Sequence, residues 1–300
     1  MQTAFLIVTR RCTRSCPFCF YSTGYLSHPR GEMDTPRLLE AVEKLAGMGV
    51  KKLIVTGGEP LTRGDMARLL TRAGERGMAR LLLTNGDMLE GDTVRAVLDA
   101  GLEAISLSVN DTATLPRREA AIKALAEAGR VPLTAIIAFH RGNAREIPAI
   151  VAWAEERGIN ALLQPAFIPP GSKGERDLSP RHFTEEEWCA VEPALIAWAE
   201  AAGLVPYSRL VLGLYWRGVP LKPRVCAMGS ETLVLDCDGS VYPCFHRRDL
   251  GAGSILECAA PAIGARLSVA AVAVSHAPCF GEHCVSLFAG VNEIDLVPAR

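Results

Sequence analysis

The feature that most narrows the fold is an alternation. From residue 4 to residue 168, short β-branched or leucine-rich runs take turns with stretches of helical periodicity. The runs are Phe5 to Thr9, Lys52 to Thr56, Arg80 to Thr84, Ala104 to Val109, Leu133 to Phe139 and Ala161 to Phe167. The intervening helices end at Gly49, Gly77, Gly101, Gly129 and Gly158, because glycine takes the left-handed conformation that closes a helix. The first also has a start, Thr35 as cap and Pro36 as first helical residue. Strands joined by helices of this length pair in parallel, in a sheet buried on both faces. Six such units predict an α/β fold: a partial (β/α)6, TIM-like barrel, about three quarters of a complete eightfold one.

The pattern stops at Ile168-Pro169-Pro170-Gly171-Ser172-Lys173-Gly174, a stretch that breaks regular structure. It divides the chain into a core, residues 1–170, and a smaller extension, residues 171–300. In the extension, Thr184 and Glu187 form a capping box that opens an amphipathic helix through Trp188, Leu195 and Trp198 toward Gly203. Asp238-Gly239, between Thr232 to Cys237 and Ser240 to Tyr242, is the turn of a β-hairpin. The extension is therefore α+β, and it is rich in cysteine.

Ten cysteines in 300 residues need an account. The first ten residues have no basic segment and read as a strand, not a signal peptide. No apolar run approaches the length of a membrane span, the longest being Leu267 to Val274. A cytoplasmic protein is expected, and in a reducing compartment cysteines serve metals more often than disulfides. Lys plus Arg is 32 and Asp plus Glu is 33, a net charge of -1, so the basic footprint of a nucleic-acid binder or an anionic-membrane binder is absent.

Cys12, Cys16 and Cys19 are spaced C-x3-C-x2-C directly after the first strand. Three thiolates in so short a loop can hold three corners of a cubane cluster, whereas a structural zinc site asks for four ligands. After the second strand comes Gly57-Gly58-Glu59-Pro60, at the end where parallel barrels build active sites. The glycines would let a ligand approach the backbone, or they form a plain turn.

Together these motifs resemble the radical S-adenosylmethionine enzymes, over roughly residues 4 to 168: the cysteine triplet with Phe18 before its last member, then Gly-Gly-Glu-Pro. The resemblance implies that Cys12, Cys16 and Cys19 bind a [4Fe-4S] cluster whose open iron chelates S-adenosylmethionine. It implies an external one-electron donor such as flavodoxin or ferredoxin, and reductive cleavage to a 5′-deoxyadenosyl radical that abstracts hydrogen from a substrate. By the same resemblance Gly57, Gly58, Glu59 and Pro60 line the methionine amino group, Phe18 belongs to the cofactor site, and Thr84 and Ser106 match contacts to its carboxylate or ribose. Many relatives continue the fourth strand as Ser-Leu-Asp; Ser108 stands where the Asp would be.

Farther on, Cys226, Gly239 and Cys244 are spaced C-x12-G-x4-C. This resembles the opening of the auxiliary-cluster extension called SPASM, or twitch in its short form. The resemblance implies one auxiliary [4Fe-4S] cluster on Cys226, Cys244, Cys279 and Cys284, two clusters in all, with His283 able to replace one of the last pair. Cys189 and Cys258 are expected to be small buried hydrophobes, and Cys237 is left between ligand and core. Sulfatase-maturing relatives carry a catalytic aspartate after the cysteine matching Cys244; here Phe245 and then His246 follow. His246 is a candidate proton acceptor, the alternative being a solvated histidine beside Arg247 and Arg248. His28, Tyr21 and Tyr25 lie in the loop where a residue facing substrate is expected.

The leading expectation is an oxidising radical enzyme acting on a ribosomally made peptide, with small-molecule dehydrogenation or rearrangement as the alternative. The triplet begins at residue 12, so no fused N-terminal peptide-recognition domain is expected. A non-catalytic iron-sulfur carrier or scaffold is the reading from another class, and Gly57 to Pro60 speak against it, since a carrier needs no methionine-binding strand end.

Overall fold

A computed structural model describes residues 1–21, 31–128, 131–168, 171–172, 174–218, 226 and 228–275. Strands and helices alternate as expected: β1 (Thr3–Ile7), α1 (Thr35–Gly47), β2 (Lys52–Thr56), α2 (Met66–Glu75), β3 (Ala79–Thr84), α3 (Gly91–Asp99), β4 (Ala104–Ser108), α4 (Leu115–Ala128), β5 (Leu133–Phe139), α5 (Ile147–Glu156) and β6 (Asn160–Pro165). Gly49, Gly77, Gly101 and Gly158 all have positive φ after their helices; Gly129 lies outside the described residues. One start differs from expectation. Asp34, not Thr35, caps α1, accepting a hydrogen bond from the Arg37 N–H, while the Thr35 hydroxyl donates to Asp65 at 2.7 Å.

Beyond the core follow α6 (Glu175–Leu178), α7 (Glu185–Ala201), α8 (Val205–Val211), β7 (Thr232–Leu235), β8 (Ser240–Tyr242), β9 (Gly253–Ser254) and α9 (Ala260–Ser275). The capping box on α7 is made in both directions, Glu187 N–H to Thr184 Oγ1 and Thr184 N–H to the Glu187 carboxylate. The Asp238-Gly239 turn joins β7 to β8, with Gly239 at φ 91°.

All nine strands form one sheet, ordered β6-β5-β4-β3-β2-β1-β7-β8-β9, and among the described residues it does not close. β1 to β6 run parallel, as a partial barrel requires, and β7 pairs in parallel with β1, setting Leu6 opposite Leu235. The hairpin of the extension thus continues the sheet of the core.

Alternation along β1 assigns its two faces. Ala4, Leu6 and Val8 belong to the main core with Leu53, Val55 and the helices, Leu38, Leu45 and Leu69 among them. Phe5 and Ile7 face the other way, into a second apolar cluster with Ile54, Val234, Cys226, Cys237 and Cys244. The extension therefore covers the inner face of the core with the segments that carry its cysteines. Among the described residues no helix is long and apolar enough to cross a membrane.

Candidate active site

Parallel register brings the C-terminal ends of β1, β2, β3 and β4 side by side, Ile7 opposite Thr56 and Thr84 opposite Leu107. The cysteine loop leaves β1 at this end and packs on the loop after β2. Gly58 N–H donates to Thr9 O at 2.8 Å and Glu59 N–H to Arg11 O at 2.7 Å. The contact explains the two glycines. A Cβ on Gly57 would lie 2.3 Å from Thr9 O, and one on Gly58 would lie 2.2 Å from Arg11 O. Both positions must be glycine so that two backbones can meet, and both also line the cavity described next.

Cys12, Cys16 and Cys19 line one cavity of about 380 Å³, together with Phe18, Gly57, Gly58 and Thr84. Among the described residues no group of three or more His, Cys, Asp or Glu is placed to hold a metal ion. Burial, then the charge of Cys19, raises the Cys16 thiol, so an empty loop favours the protonated form; coordination to iron would remove that proton. The donors needed around thiolates are at hand. Arg14 N–H lies 3.4 Å from Cys12 Sγ, and Asn85 Nδ2 lies 3.7 Å from the same sulfur and 2.9 Å from Thr13 Oγ1.

An ion network anchors the loop from behind. Arg14 binds Asp87 through two hydrogen bonds of 2.7 Å, and Arg118 reaches the same carboxylate at 3.3 Å. Burial opposes ionisation of Asp87, yet the hydrogen bonds and charge of Arg14, with the charge of Arg118, hold it below the usual carboxylate range. Arg118 is fully buried; its Nε donates to Ser108 O at 3.0 Å and its Nη2 has no hydrogen-bond partner among the described residues.

Of the other residues that the resemblance implies, only some line the cavity. Glu59 is fully buried, and its carboxylate accepts from Thr84 Oγ1 and Asn85 N at 2.7 Å and from Leu61 N at 3.1 Å. It ties the end of β2 to the end of β3 from inside the protein, and neither it nor the buried Pro60 is among the residues lining the cavity. Thr84 does line it, although its hydroxyl is engaged with Glu59 and with Gly86 N–H. On β4 it is Ser108 that lines the cavity, while Ser106 is not among the lining residues. Asn85, Asn110 and Gln164 line it too, although sequence reading passed them over. Asn85 could have been noticed as the polar neighbour of Thr84, whereas Gln164 stands in a strand with nothing to mark it.

Phe18 rests on His140 at the end of β5, ring centroids 4.7 Å apart. His140 Nδ1 accepts from Gly142 N–H at 3.0 Å, leaving its proton on Nε2, and burial lowers its pKa to about 4 from an ordinary 6.5. Protonation then favours the unfolded chain between those values, so stability falls as pH falls from about 6.5 toward 4. His140→Leu should flatten that part of the stability profile, measured as urea midpoints at several pH values; an unchanged slope would refute the assignment.

His246 is not a solvated histidine. It lines the cavity between Phe167 and Phe20, at ring-centroid distances of 4.2 and 5.6 Å, and burial lowers its pKa to about 4. It is neutral at pH 7, as a proton acceptor must be, but a weak base. Tyr21 lines the same cavity under the Arg10 guanidinium, and burial pushes its hydroxyl pKa upward. His28 and Tyr25 lie outside the described residues.

Cys226 and Cys244 are buried in the same inner cluster, with Cys237 fully buried beside them. Arg247 N–H approaches Cys244 Sγ at 3.2 Å. Asp236, next to Cys237, lies between Arg10, at 2.5 Å, and Arg248, and so joins the cysteine loop of the core to the hairpin of the extension. Cys279, His283 and Cys284 lie outside the described residues. Cys189 is exposed, contrary to expectation, and Cys258 is half-buried against the main core.

Residues 6–154 match the model of the Radical SAM superfamily. The PqqA peptide cyclase of Gluconobacter oxydans (strain 621H) is 30% identical over 251 residues, covering 79% of this chain and 68% of that protein. The PqqA peptide cyclase of Xanthomonas oryzae pv. oryzae (strain MAFF 311018) is 32% identical over 258 residues, covering 81% and 67%. Among solved structures, native anSMEcpe with bound AdoMet superposes with a TM-score of 0.69 at 17% identity, covering 92% of this chain and 84% of that one. Streptococcus suis SuiB bound to S-adenosylmethionine gives 0.62 at 13% identity, covering 86% and 64%. At such identities the structural likeness concerns the fold alone.

Proposed function

The chain belongs to the Radical SAM superfamily, and from that premise we propose that it is a peptide-modifying enzyme, in which Cys12, Cys16 and Cys19 hold a [4Fe-4S] cluster and Cys226 and Cys244 contribute to a second, auxiliary one. In this reading residues 1–170 form the radical core and residues 171–300 the extension that bears the auxiliary cluster, with Cys279 and Cys284 completing its ligands. The observation that carries the reading is a single cavity: three thiols of the core, the Gly57-Gly58 strand end and His246 of the extension all line it.

The bound cluster would supply one electron to S-adenosylmethionine, giving methionine and a 5′-deoxyadenosyl radical. The chain's own residues orient and enclose. Gly57 and Gly58 bring backbone to the cavity, and Phe18 offers a ring. Thr84, Ser108 and Asn85 supply neutral polar groups around the ligand. Its lowered pKa keeps His246 neutral at pH 7, and as a weak base it accepts a proton released as substrate is oxidised. An external carrier such as flavodoxin or ferredoxin delivers the electron, and work in the cytoplasm suits that dependence.

Names of relatives support a peptide as substrate, since two of them are PqqA peptide cyclases at 30% and 32% identity. Anaerobically reconstituted protein, given S-adenosylmethionine, a reductant and a library of short peptides, should convert a peptide to a product lighter by one hydrogen pair. Turnover of a small molecule with no change in any peptide would refute the peptide reading.

A further inference from the structure

We infer that the substrate group seated in this cavity is an uncharged apolar or aromatic side chain, held against a wall formed by Phe20, Phe167 and His246. The inference rests on the peptide-modifying reading and names the class of residue modified. The three rings come from three distant segments: the loop after Cys19, the end of β6 and the loop after Cys244. They touch one another, with centroids 5.9 Å apart for Phe20 and Phe167, 5.6 Å for Phe20 and His246, and 4.2 Å for Phe167 and His246. Phe20 meets both partners edge to face, at 75° and 81°. The wall is therefore continuous and apolar, built where core and extension meet.

Charge around it is spent elsewhere. Among the described lining residues there is no Asp, Glu or Lys, and Arg14 is the one strong cation. Arg14 is already neutralised by two hydrogen bonds to Asp87. Against this wall a carboxylate or ammonium on the substrate would shed its water and meet no opposite charge among the described lining residues, whereas an apolar side chain gains by the same burial. An ammonium over a ring face would be the exception, and a lysine probe examines it directly.

The test uses the full chain and four probes, the N-acetyl amides of phenylalanine, leucine, glutamate and lysine, with binding measured by saturation-transfer NMR titration. The phenylalanine and leucine probes should bind about tenfold more tightly than the charged pair. Phe167→Ala should erase that preference while Phe167→Leu keeps it, with thermal unfolding confirming that each variant is folded; Phe20→Ala serves if Phe167→Ala is not. Equal binding of either charged probe, binding of none, or an unchanged preference in the folded alanine variant overturns the inference. A random peptide library treated with reconstituted enzyme separates the two readings. Modification at Asp, Glu, Lys or Arg overturns the inference and leaves the peptide reading standing. Modification at Phe, Tyr, Leu, Ile or Val supports both.

Discussion

Replacing Cys16 with alanine is expected to abolish formation of 5′-deoxyadenosine from S-adenosylmethionine and to lower the iron of reconstituted protein from about eight to about four per chain, the content of one cubane. The argument is geometric. Cys16 is the middle of three thiols lining one cavity, in a loop held by the Cys19 N–H to Cys16 O hydrogen bond of 3.1 Å and by the Arg14 to Asp87 pair. Two remaining thiolates cannot retain a cubane whose fourth iron must stay open. The side chain is half-buried and small, so the variant should lose no more than about 1 kcal/mol of stability, and inactivity would not stem from unfolding. Continued 5′-deoxyadenosine production would refute the role of the triplet. Four irons in the unmodified protein, or zinc, would refute the two-cluster count.

Gly58→Ala should be nearly as damaging, for a reason unconnected with ligands. Its new Cβ would sit 2.2 Å from Arg11 O and 2.7 Å from Arg10 O, and both are backbone atoms with little room to retreat. Overpacking of this kind costs about 3 kcal/mol or more, and relief would require moving the cysteine loop off the end of β2. Thermal unfolding should show a clear loss of stability, and cluster assembly should fail in whatever protein still folds. Gly64→Ala is the control: nothing lies within 4 Å of its added Cβ, and its stability should change by less than about 0.5 kcal/mol. Equal behaviour of the two variants would refute the close-approach argument.

Much of this architecture could be read from the sequence because its signals are local. Helix stops at Gly77 and Gly101, the Thr184 and Glu187 capping box and the Asp238-Gly239 turn each need only a few neighbouring residues, and each forms. The start of α1 was harder, since Asp34 and Thr35 can both cap a helix, and a distant partner, Asp65, takes the Thr35 hydroxyl. The resemblance implied Glu59 beside a cofactor, but a motif does not report which way a side chain turns. Glu59 points inward because Thr84, Asn85 and Leu61 offer it three hydrogen bonds there. The wall of Phe20, Phe167 and His246 left no trace in the sequence, because its members are brought together only by tertiary packing.

The pairing of β1 with β7 has a consequence for how the chain is made. β1 leaves the ribosome long before one of its two neighbours, Thr232–Leu235, which follows only after β2 to β6. Until then a nearly complete partial barrel carries an open apolar edge along Thr3–Ile7, the kind of edge that recruits stray strands. Closure of that edge by the hairpin also packs Cys226, Cys237 and Cys244 against Phe5 and Ile7. Sealing the nascent core and burying the second set of cysteines are thus coupled in one non-local step, whose slowness is the kinetic counterpart of pairing strands that lie far apart in sequence.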